Sequence, residues 1–228
     1  MTPVLALLPS PLLGPAVWQP VADALTARGR RAIAVAPPLV SPRSWEDILS
    51  ALLSALPEDE DLVLVPHSNA GLYVPSLVAE RRVAASVFVD ALLPGGSGTV
   101  AVTSAAFLDV LRDKADADGL LPPWTAWWEE ADVVGLFPDD AVRRRVEQEQ
   151  QRLPLSYFEG SLPVQRGWDG GPGAYLAFGD TYAEDRSAAA RRGWPVTTLP
   201  GRHLHMLVDP VRVADEVLRL TTAQGVDA

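Results

Sequence analysis

Residues 62–71, Leu-Val-Leu-Val-Pro-His-Ser-Asn-Ala-Gly, place a serine where a strand pattern changes into a helix pattern. A serine on such a sharp turn is exposed above the sheet, at the positive end of a helix. The N–H of the next residue, Asn69, can then stabilise an oxyanion. The small residues Ala70 and Gly71 leave the space that the turn needs. The pattern predicts Ser68 as a nucleophile; the alternative is a helix cap at Ser68 or Asn69.

A serine nucleophile needs a base, and two of the three histidines lie in one loop near the end of the chain. Residues 199–210 read Leu-Pro-Gly-Arg-His-Leu-His-Met-Leu-Val-Asp-Pro. A strand pattern ends where this loop begins, and Asp209 is predicted to cap a last helix with Pro210 at its first position. His203 and His205 are therefore candidates for the base. The alternative is that they are loop histidines without a role, or that one of them packs.

Short apolar runs alternate with helical patterns, and these elements would position the side chains. The runs are apolar on both faces and bounded by Pro or Gly, which predicts strands in a sheet covered on both sides. The predicted strands are 4–8, 32–36, 62–65, 85–89, 174–178 and 196–199. The predicted helices are 18–28, 44–56 with a capping box at its start, 69–82 and 210–220. This alternation indicates an α/β fold with a parallel sheet.

Residues 97–173 interrupt the alternation, because they contain helical patterns but no convincing strand. We predict a helical cap at residues 97–165, inserted in a single domain of residues 1–228. Trp124 shares a helical face with Trp127 and Trp128, which follow it at spacings of three and four. Trp124 and Trp128 are predicted to form an aromatic roof over an apolar substrate pocket. The alternative is that these rings only pack the cap onto the core.

The composition of the 228 residues excludes several kinds of function. The absence of cysteine excludes a disulfide scaffold, a thiolate metal site and a cysteine nucleophile. A net charge of −10 disfavours nucleic acid and anionic membranes as partners. No run reaches the roughly 18 apolar residues of a membrane span, and no secretory signal is apparent, so we expect a cytoplasmic protein. We expect no metal and no cofactor, and a small apolar organic substrate as the partner.

Three segments carry a resemblance to the α/β-hydrolase superfamily, which covers nearly the whole chain. Residues 7–18, Leu-Leu-Pro-Ser-Pro-Leu-Leu-Gly-Pro-Ala-Val-Trp, look like its first core strand and oxyanion loop, and residues 67–71 look like its nucleophile elbow. His203 lies seven residues before Pro210, a spacing often seen between the catalytic histidine and the last helix of the family. The resemblance implies an α/β-hydrolase fold with about six mostly parallel strands flanked by helices. It carries His203 over as the base, with His205 as the alternative.

The resemblance leaves two candidates for the acid of a Ser-His-Asp triad. The family most often has Gly-x-x-Asp after its penultimate strand; here Tyr182 stands at the matching position and Asp180 is shifted from it. Other members place the acid at the end of the strand that follows the nucleophile helix, where this chain has Asp90. A polar residue at that carboxyl edge lies where such sheets build sites. We predict Asp90 as the acid that fixes the tautomer of His203, with Asp180 as the alternate acid.

The predicted oxyanion loop departs from the family. Pro9 and Ser10 replace its His-Gly, and Pro11, which has no N–H, falls at the position of the second donor. Either Leu12 donates after a shift of the loop, or the Asn69 N–H acts alone. The Ser10 hydroxyl, on the edge of the predicted pocket, is a possible side-chain donor. The resemblance therefore implies an altered oxyanion site.

These observations favour a serine hydrolase that acts on a small to medium apolar ester, thioester or lactone. Two alternatives stay open. The altered oxyanion loop favours a repurposed enzyme, namely a lyase, a cyclase or a C–C bond-cleaving enzyme of natural-product metabolism that uses His203 as a general acid–base. A non-catalytic protein that binds a ligand on the same fold is the other.

Overall fold

The structure is a computed structural model that describes residues 2–38 and 41–227. Its strands are β1 (Val4–Leu8), β2 (Ala32–Ala34), β3 (Leu62–Ser68), β4 (Val83–Ala91), β5 (Gly98–Ala101), β6 (Ser161–Val164), β7 (Gly173–Phe178) and β8 (Val196–Leu199). Its α-helices are α1 (Gln19–Thr26), α2 (Trp45–Ala55), α3 (Val74–Glu80), α4 (Ala105–Arg112), α5 (Glu130–Val134), α6 (Asp140–Glu149), α7 (Leu155–Phe158), α8 (Ala183–Arg191), α9 (His205–Val208) and α10 (Pro210–Ala223). Across the described ranges, no helix has the length and apolar character needed to cross a membrane.

Six of the strands form one parallel sheet in the order β2-β1-β3-β4-β7-β8, which confirms the predicted sheet. Every residue of β1, β3 and β7 is buried, as expected for runs that are apolar on both faces. The strand order reverses between β1 and β3. Open parallel sheets bind ligands outside the carboxyl ends of their strands at such a reversal. The loop after β1 and the turn after β3 therefore meet where a site is expected.

Capping residues mark the starts of two predicted helices. The Ser44 hydroxyl accepts a hydrogen bond from the Asp47 N–H at 3.4 Å, and the Asp47 carboxylate accepts one from the Ser44 N–H at 3.2 Å. This capping box satisfies N–H groups that have no acceptor within α2. The Asp209 carboxylate accepts from the Arg212 N–H at 3.1 Å and caps α10. Both helix starts were predicted from these residue types.

The prediction that residues 97–173 contain no strand is wrong. β5 and β6 form an antiparallel pair separate from the main sheet. Three of the four β5 residues are exposed, so an apolar run does not mark this strand. In β6 the buried residues Leu162 and Val164 alternate with exposed ones, and Pro163 between them is a residue type that strands usually exclude. Proline is tolerated there because a two-stranded ribbon has free edges.

The predicted helix 69–82 is observed as a 3-10 helix, Asn69–Tyr73, followed by α3. Gly71 lies in the tight first part, where the chain passes the end of β4. A Cβ atom on Gly71 would overlap the carbonyl oxygen of Leu92 and lie 3.3 Å from the Phe88 ring. The close approach of these two backbones therefore requires glycine at this position.

We expect Gly71→Ala to destabilise the protein by about 1–3 kcal/mol, because the added methyl group forces a backbone shift in a packed region. Urea denaturation would measure the change. Gly95→Ala is the matched control, since its Cβ atom meets no atom within 4 Å. An equal loss of stability in the two variants would contradict this explanation.

Candidate active site

Ser68 ends β3 in a strained backbone conformation. Its φ and ψ angles are 57° and −128°, in a region that residues with a side chain adopt rarely and at a cost of roughly 1–3 kcal/mol. The Ser68 carbonyl accepts from the Leu92 N–H at 3.1 Å, which helps to hold the turn. The 3-10 helix begins at the next residue, Asn69, and the first N–H groups of a helix have no acceptor inside it. The sharp turn predicted between the strand and the helix is thus present, and Ser68 lines a cavity.

Asp90 is the extra residue of a β-bulge at the end of β4. His67 pairs with Val89 and Ser68 pairs with Ala91, so Asp90 has no opposite residue on β3. Its φ angle of 43° also lies in the left-handed region. Bulges re-aim side chains next to functional sites. This one turns the Asp90 side chain into the protein, where it is completely buried.

The Asp90 carboxylate holds one ring nitrogen of His203. Asp90 Oδ2 lies 2.7 Å from His203 Nδ1, and Asp90 Oδ1 accepts from the Phe178 N–H at 3.0 Å. The ladder between β4 and β7 stops at Val89 and Leu176, which leaves the Phe178 N–H free for this side chain. With a proton on Nδ1, His203 presents Nε2 as an acceptor.

The alternative residues lie elsewhere. The Asp180 side chain is 83% exposed and pairs with Arg186 at 2.9 Å. The His205 ring packs edge-on against Phe178, with ring centroids 5.4 Å apart. The structure therefore brings Asp90, rather than Asp180, to His203.

Tyr182 is a residue at the site that sequence reasoning did not select. Its hydroxyl oxygen lies 3.2 Å from Ser68 Oγ, and its ring centroid lies 5.6 Å from that of His203. Burial raises the pKa of the Tyr182 hydroxyl further above its usual value, so it stays protonated at neutral pH. The sequence signal that could have selected Tyr182 was its match to the usual position of the family's acid. That match did not reveal a contact with Ser68.

The polar groups of the loop after β1 form hydrogen bonds within the loop. The Leu12 N–H faces the Ser10 hydroxyl oxygen at 3.4 Å, and the Leu13 N–H donates to the Ser10 carbonyl at 2.9 Å. Leu12 lines the cavity, but Ser10 is buried and is not among the lining residues. The structure thus places Ser10, which was predicted at the pocket, behind the lining residues, with its hydroxyl toward the Leu12 N–H.

A cavity of about 730 Å³ lies above Ser68 and His203. Trp124, Trp127 and Trp128 all line it, and the 3-10 helix Trp124–Trp127 ends before Trp128. The Trp124 ring centroid lies 6.0 Å from that of His203. Trp127 also packs against Phe158, so packing and lining roles coexist in one ring.

The lining of the cavity also includes carboxylates. Four acidic residues are among its lining residues, namely Asp132, Asp180, Glu184 and Asp185. Within the described ranges, no Lys or Arg lines this cavity. Burial raises the pKa of Asp185, whose carboxylate accepts from the Leu93 N–H at 2.7 Å. The lining therefore repels anionic groups and accepts neutral or cationic ones.

His67 forms a second layer beneath the site. It is fully buried, and its Nε2 lies 3.0 Å from the His203 carbonyl oxygen, so the Nε2–H donates to that oxygen. The two imidazole rings lie 4.4 Å apart between centroids. Burial and the nearby His203 ring hold the pKa of His67 well below its usual value. A neutral His67 thus anchors the backbone of the His203 loop.

The arrangement of these elements is the α/β-hydrolase fold, and comparisons with solved structures confirm the predicted fold. An extracellular α/β-hydrolase from a Paenibacillus species matches with a TM-score of 0.74 and 15% identity, over 96% of this chain and 98% of the other. A variant of tomato methylketone synthase I complexed with β-ketoheptanoate matches with a TM-score of 0.78 and 14% identity, over 98% of each chain. A pyrethroid hydrolase matches with a TM-score of 0.70 and 19% identity, over 98% of each chain.

No protein-family model matches the sequence, and no curated protein matches it. The likeness to solved structures, at 14% to 19% identity, therefore shows the fold alone. A fold hosts many chemistries, so function must be argued from the site.

We expect the protein to lose stability as the pH falls below about 6.5, the usual pKa of histidine, in part through His67. The unfolded chain binds a proton at His67 that the folded protein excludes, and this dependence approaches about 1.4 kcal/mol per pH unit. Urea denaturation between pH 7 and pH 5 would measure it. His67→Gln keeps a side-chain N–H donor but removes the titration, so its stability should fall less over this range. Identical pH dependence in both proteins would refute the assignment.

Proposed function

We propose that the protein is a serine hydrolase in which Ser68 is the nucleophile, His203 the base and Asp90 the acid. The observation that carries the proposal is the contact of 2.7 Å between the buried Asp90 carboxylate and His203 Nδ1, beside a cavity that Ser68 lines. A carboxylate in this position fixes the imidazole tautomer and stabilises the imidazolium that forms.

In the proposed reaction, the Ser68 hydroxyl proton passes to His203 Nε2 as Oγ attacks the substrate carbonyl. The electron pair of the carbonyl moves onto its oxygen, beside the Asn69 N–H. His203 then gives its proton to the leaving group, and an acyl-enzyme ester at Ser68 remains. A water that His203 deprotonates attacks this ester and releases the acid.

The lining of the cavity favours a neutral, apolar substrate. The tryptophans in the lining favour an apolar body, and the carboxylates in the lining disfavour an anionic group. A neutral ester, thioester or lactone of small to medium size meets these conditions. Two matching structures support this size and polarity, since tomato methylketone synthase I was solved with 2-tridecanone and another match is a pyrethroid hydrolase.

Two observations favour a second candidate, in which the chemistry is not hydrolysis. In the described part of the chain, Ser68 Oγ bonds to Tyr182 and makes no hydrogen bond to His203. The Leu12 N–H faces Ser10, and Pro11 has no N–H to offer. A lyase or a C–C bond-cleaving enzyme would use His203 as a general acid–base and Ser68 as a hydrogen-bond donor. A non-catalytic ligand-binding protein would need neither role.

Labelling with a fluorophosphonate probe tests the proposed nucleophile. We expect one covalent adduct, mapped to Ser68 by intact-mass and peptide analysis, and none in Ser68→Ala. Thr103→Ala is the matched control, because it removes a hydroxyl from the same cavity and should still be labelled. Lack of an adduct in the folded wild-type protein would favour the non-hydrolytic or binding alternatives.

Replacement of each candidate acid tests the proposed triad. We expect Asp90→Asn to lower kcat for a p-nitrophenyl ester on the order of 10⁴-fold, since the amide favours the wrong tautomer of His203. Asp180→Asn should have little effect, because that side chain pairs with Arg186 at the surface. Circular dichroism would check that both variants fold. Loss of activity in Asp180→Asn alone would overturn the assignment of Asp90.

A further inference from the structure

Tyr182 contacts the proposed nucleophile in a way that the usual triad does not require. Its hydroxyl oxygen lies 3.2 Å from Ser68 Oγ, and this is the hydrogen bond that the hydroxyl makes within the described residues. The Ser68 proton must leave toward His203 in the proposed reaction. The proposed reaction therefore requires the Tyr182 O–H to donate to Ser68 Oγ, which leaves the serine proton free to transfer.

The backbone around Tyr182 fixes where this hydroxyl points. Gly179, with a φ angle of 78°, turns the chain directly after β7. Arg186 donates to the Gly179 carbonyl and to the Asp180 carboxylate, both at 2.9 Å. The Tyr182 carbonyl accepts from the Arg186 N–H at 2.9 Å at the start of α8. The turn at Gly179 and the Arg186 contact with its carbonyl thus hold the loop that carries Tyr182.

Within the described residues, positions 11 and 12 of the loop after β1 offer no unpaired backbone donor to an oxyanion. Pro11 has no N–H, and the Leu12 N–H faces the Ser10 hydroxyl oxygen. In a tetrahedral adduct, the oxyanion and Ser68 Oγ are bonded to the same carbon. A donor that already reaches Oγ therefore needs only a small movement to reach the oxyanion.

We propose that Tyr182 is a catalytic residue whose hydroxyl supplies the second hydrogen-bond donor to the oxyanion, beside the Asn69 N–H. This inference rests on the proposed hydrolase function. Before attack, the Tyr182 O–H donates to Ser68 Oγ. As the C–O bond forms and the Ser68 proton passes to His203 Nε2, the hydrogen bond moves to the oxygen that gains the carbonyl electron pair. Collapse of the adduct restores the carbonyl, expels the leaving group with the His203 proton and returns the hydrogen bond.

Tyr182→Phe tests the role, because it removes only the hydroxyl oxygen and keeps the ring in the cavity wall. We expect kcat for a p-nitrophenyl ester to fall about 10²–10³-fold with little change in KM, as for loss of one oxyanion donor. A boronic acid that forms a tetrahedral adduct at Ser68 should bind more weakly by a similar factor. A role limited to shaping the cavity would instead raise KM and lower the melting temperature.

Tyr73→Phe is the matched control. It removes the same atom from a buried tyrosine that bonds to Tyr157 at 3.0 Å and does not line the cavity. We expect its kcat to match that of the wild-type protein. An unchanged kcat in Tyr182→Phe, in a protein that is labelled at Ser68, would overturn the role of Tyr182 and leave the proposed hydrolase intact. A wild-type protein that is neither labelled nor active on esters would overturn both.

A second variant covers the case in which Tyr182→Phe does not fold. Replacement of Tyr182 by 3,5-difluorotyrosine keeps the ring and the hydroxyl but lowers the pKa of the hydroxyl. We expect kcat to fall at alkaline pH as this donor ionises, at a lower pH than in the wild-type protein. The same replacement of Tyr73 should leave the pH profile unchanged. Identical alkaline profiles for the Tyr182 replacement and the wild-type protein would refute the proposal.

Discussion

The buried Asp90 carboxylate is the group on which the rest of the site depends. Removing a carboxylate from water is unfavourable unless its oxygens gain hydrogen-bond partners. Asp90 gains one from the His203 ring and one from the Phe178 backbone. These bonds connect the end of β4 to the end of β7 and to the loop before α9. Loss of either partner would leave a buried charge partly unsatisfied, so the burial of Asp90 itself holds His203 in place.

The same irregularity in strand pairing positions both ends of the proposed triad. The bulge that gives β4 its extra residue lies opposite the last residues of β3, so Asp90 and Ser68 are set by one shift in register. Both residues have positive φ angles. The Tyr175 hydroxyl donates to the Ala91 carbonyl at 2.6 Å and accepts from the Ala91 N–H at 3.1 Å, which holds the strand end after the bulge. Strain of this kind persists where the surrounding packing overdetermines it.

The site combines the contact between Asp90 and His203, near Ser68, with an altered loop after β1. Proline in that loop removes a backbone donor, and the compact turn directs the Leu12 N–H toward Ser10. The Tyr182 hydroxyl, carried by the loop after β7, lies 3.2 Å from Ser68 Oγ and is our proposed replacement for that donor. In this proposal a side chain takes the place of a backbone donor without a change in the fold, because the loops after β1 and β7 both lie at the carboxyl edge of the sheet. The surrounding wall of tryptophans and carboxylates then selects for polarity rather than for a particular reaction.

Local sequence patterns determined the main strands and the starts of two helices. Apolar runs specify the main strands, and Ser44 and Asp209 mark helix starts, because burial on both faces and capping act over a few neighbouring residues. The predicted strand-to-helix turn selected Ser68, and the resemblance to the α/β-hydrolase superfamily then selected His203 and Asp90. Only the tertiary structure decided that Asp90 rather than Asp180 meets His203, since a bulge depends on the register of two strands.

The contact between Tyr182 and Ser68 joins residues 114 positions apart, and no local pattern encodes such a distance. The pairing of β5 with β6 was likewise decided by tertiary contacts, because both strands are four residues long and largely exposed or interrupted by proline. Even the neutral state of His67 follows from its complete burial beneath the His203 loop. Periodicity and residue type act over short segments of chain. The site geometry arises where separate segments meet, and only folding brings them together.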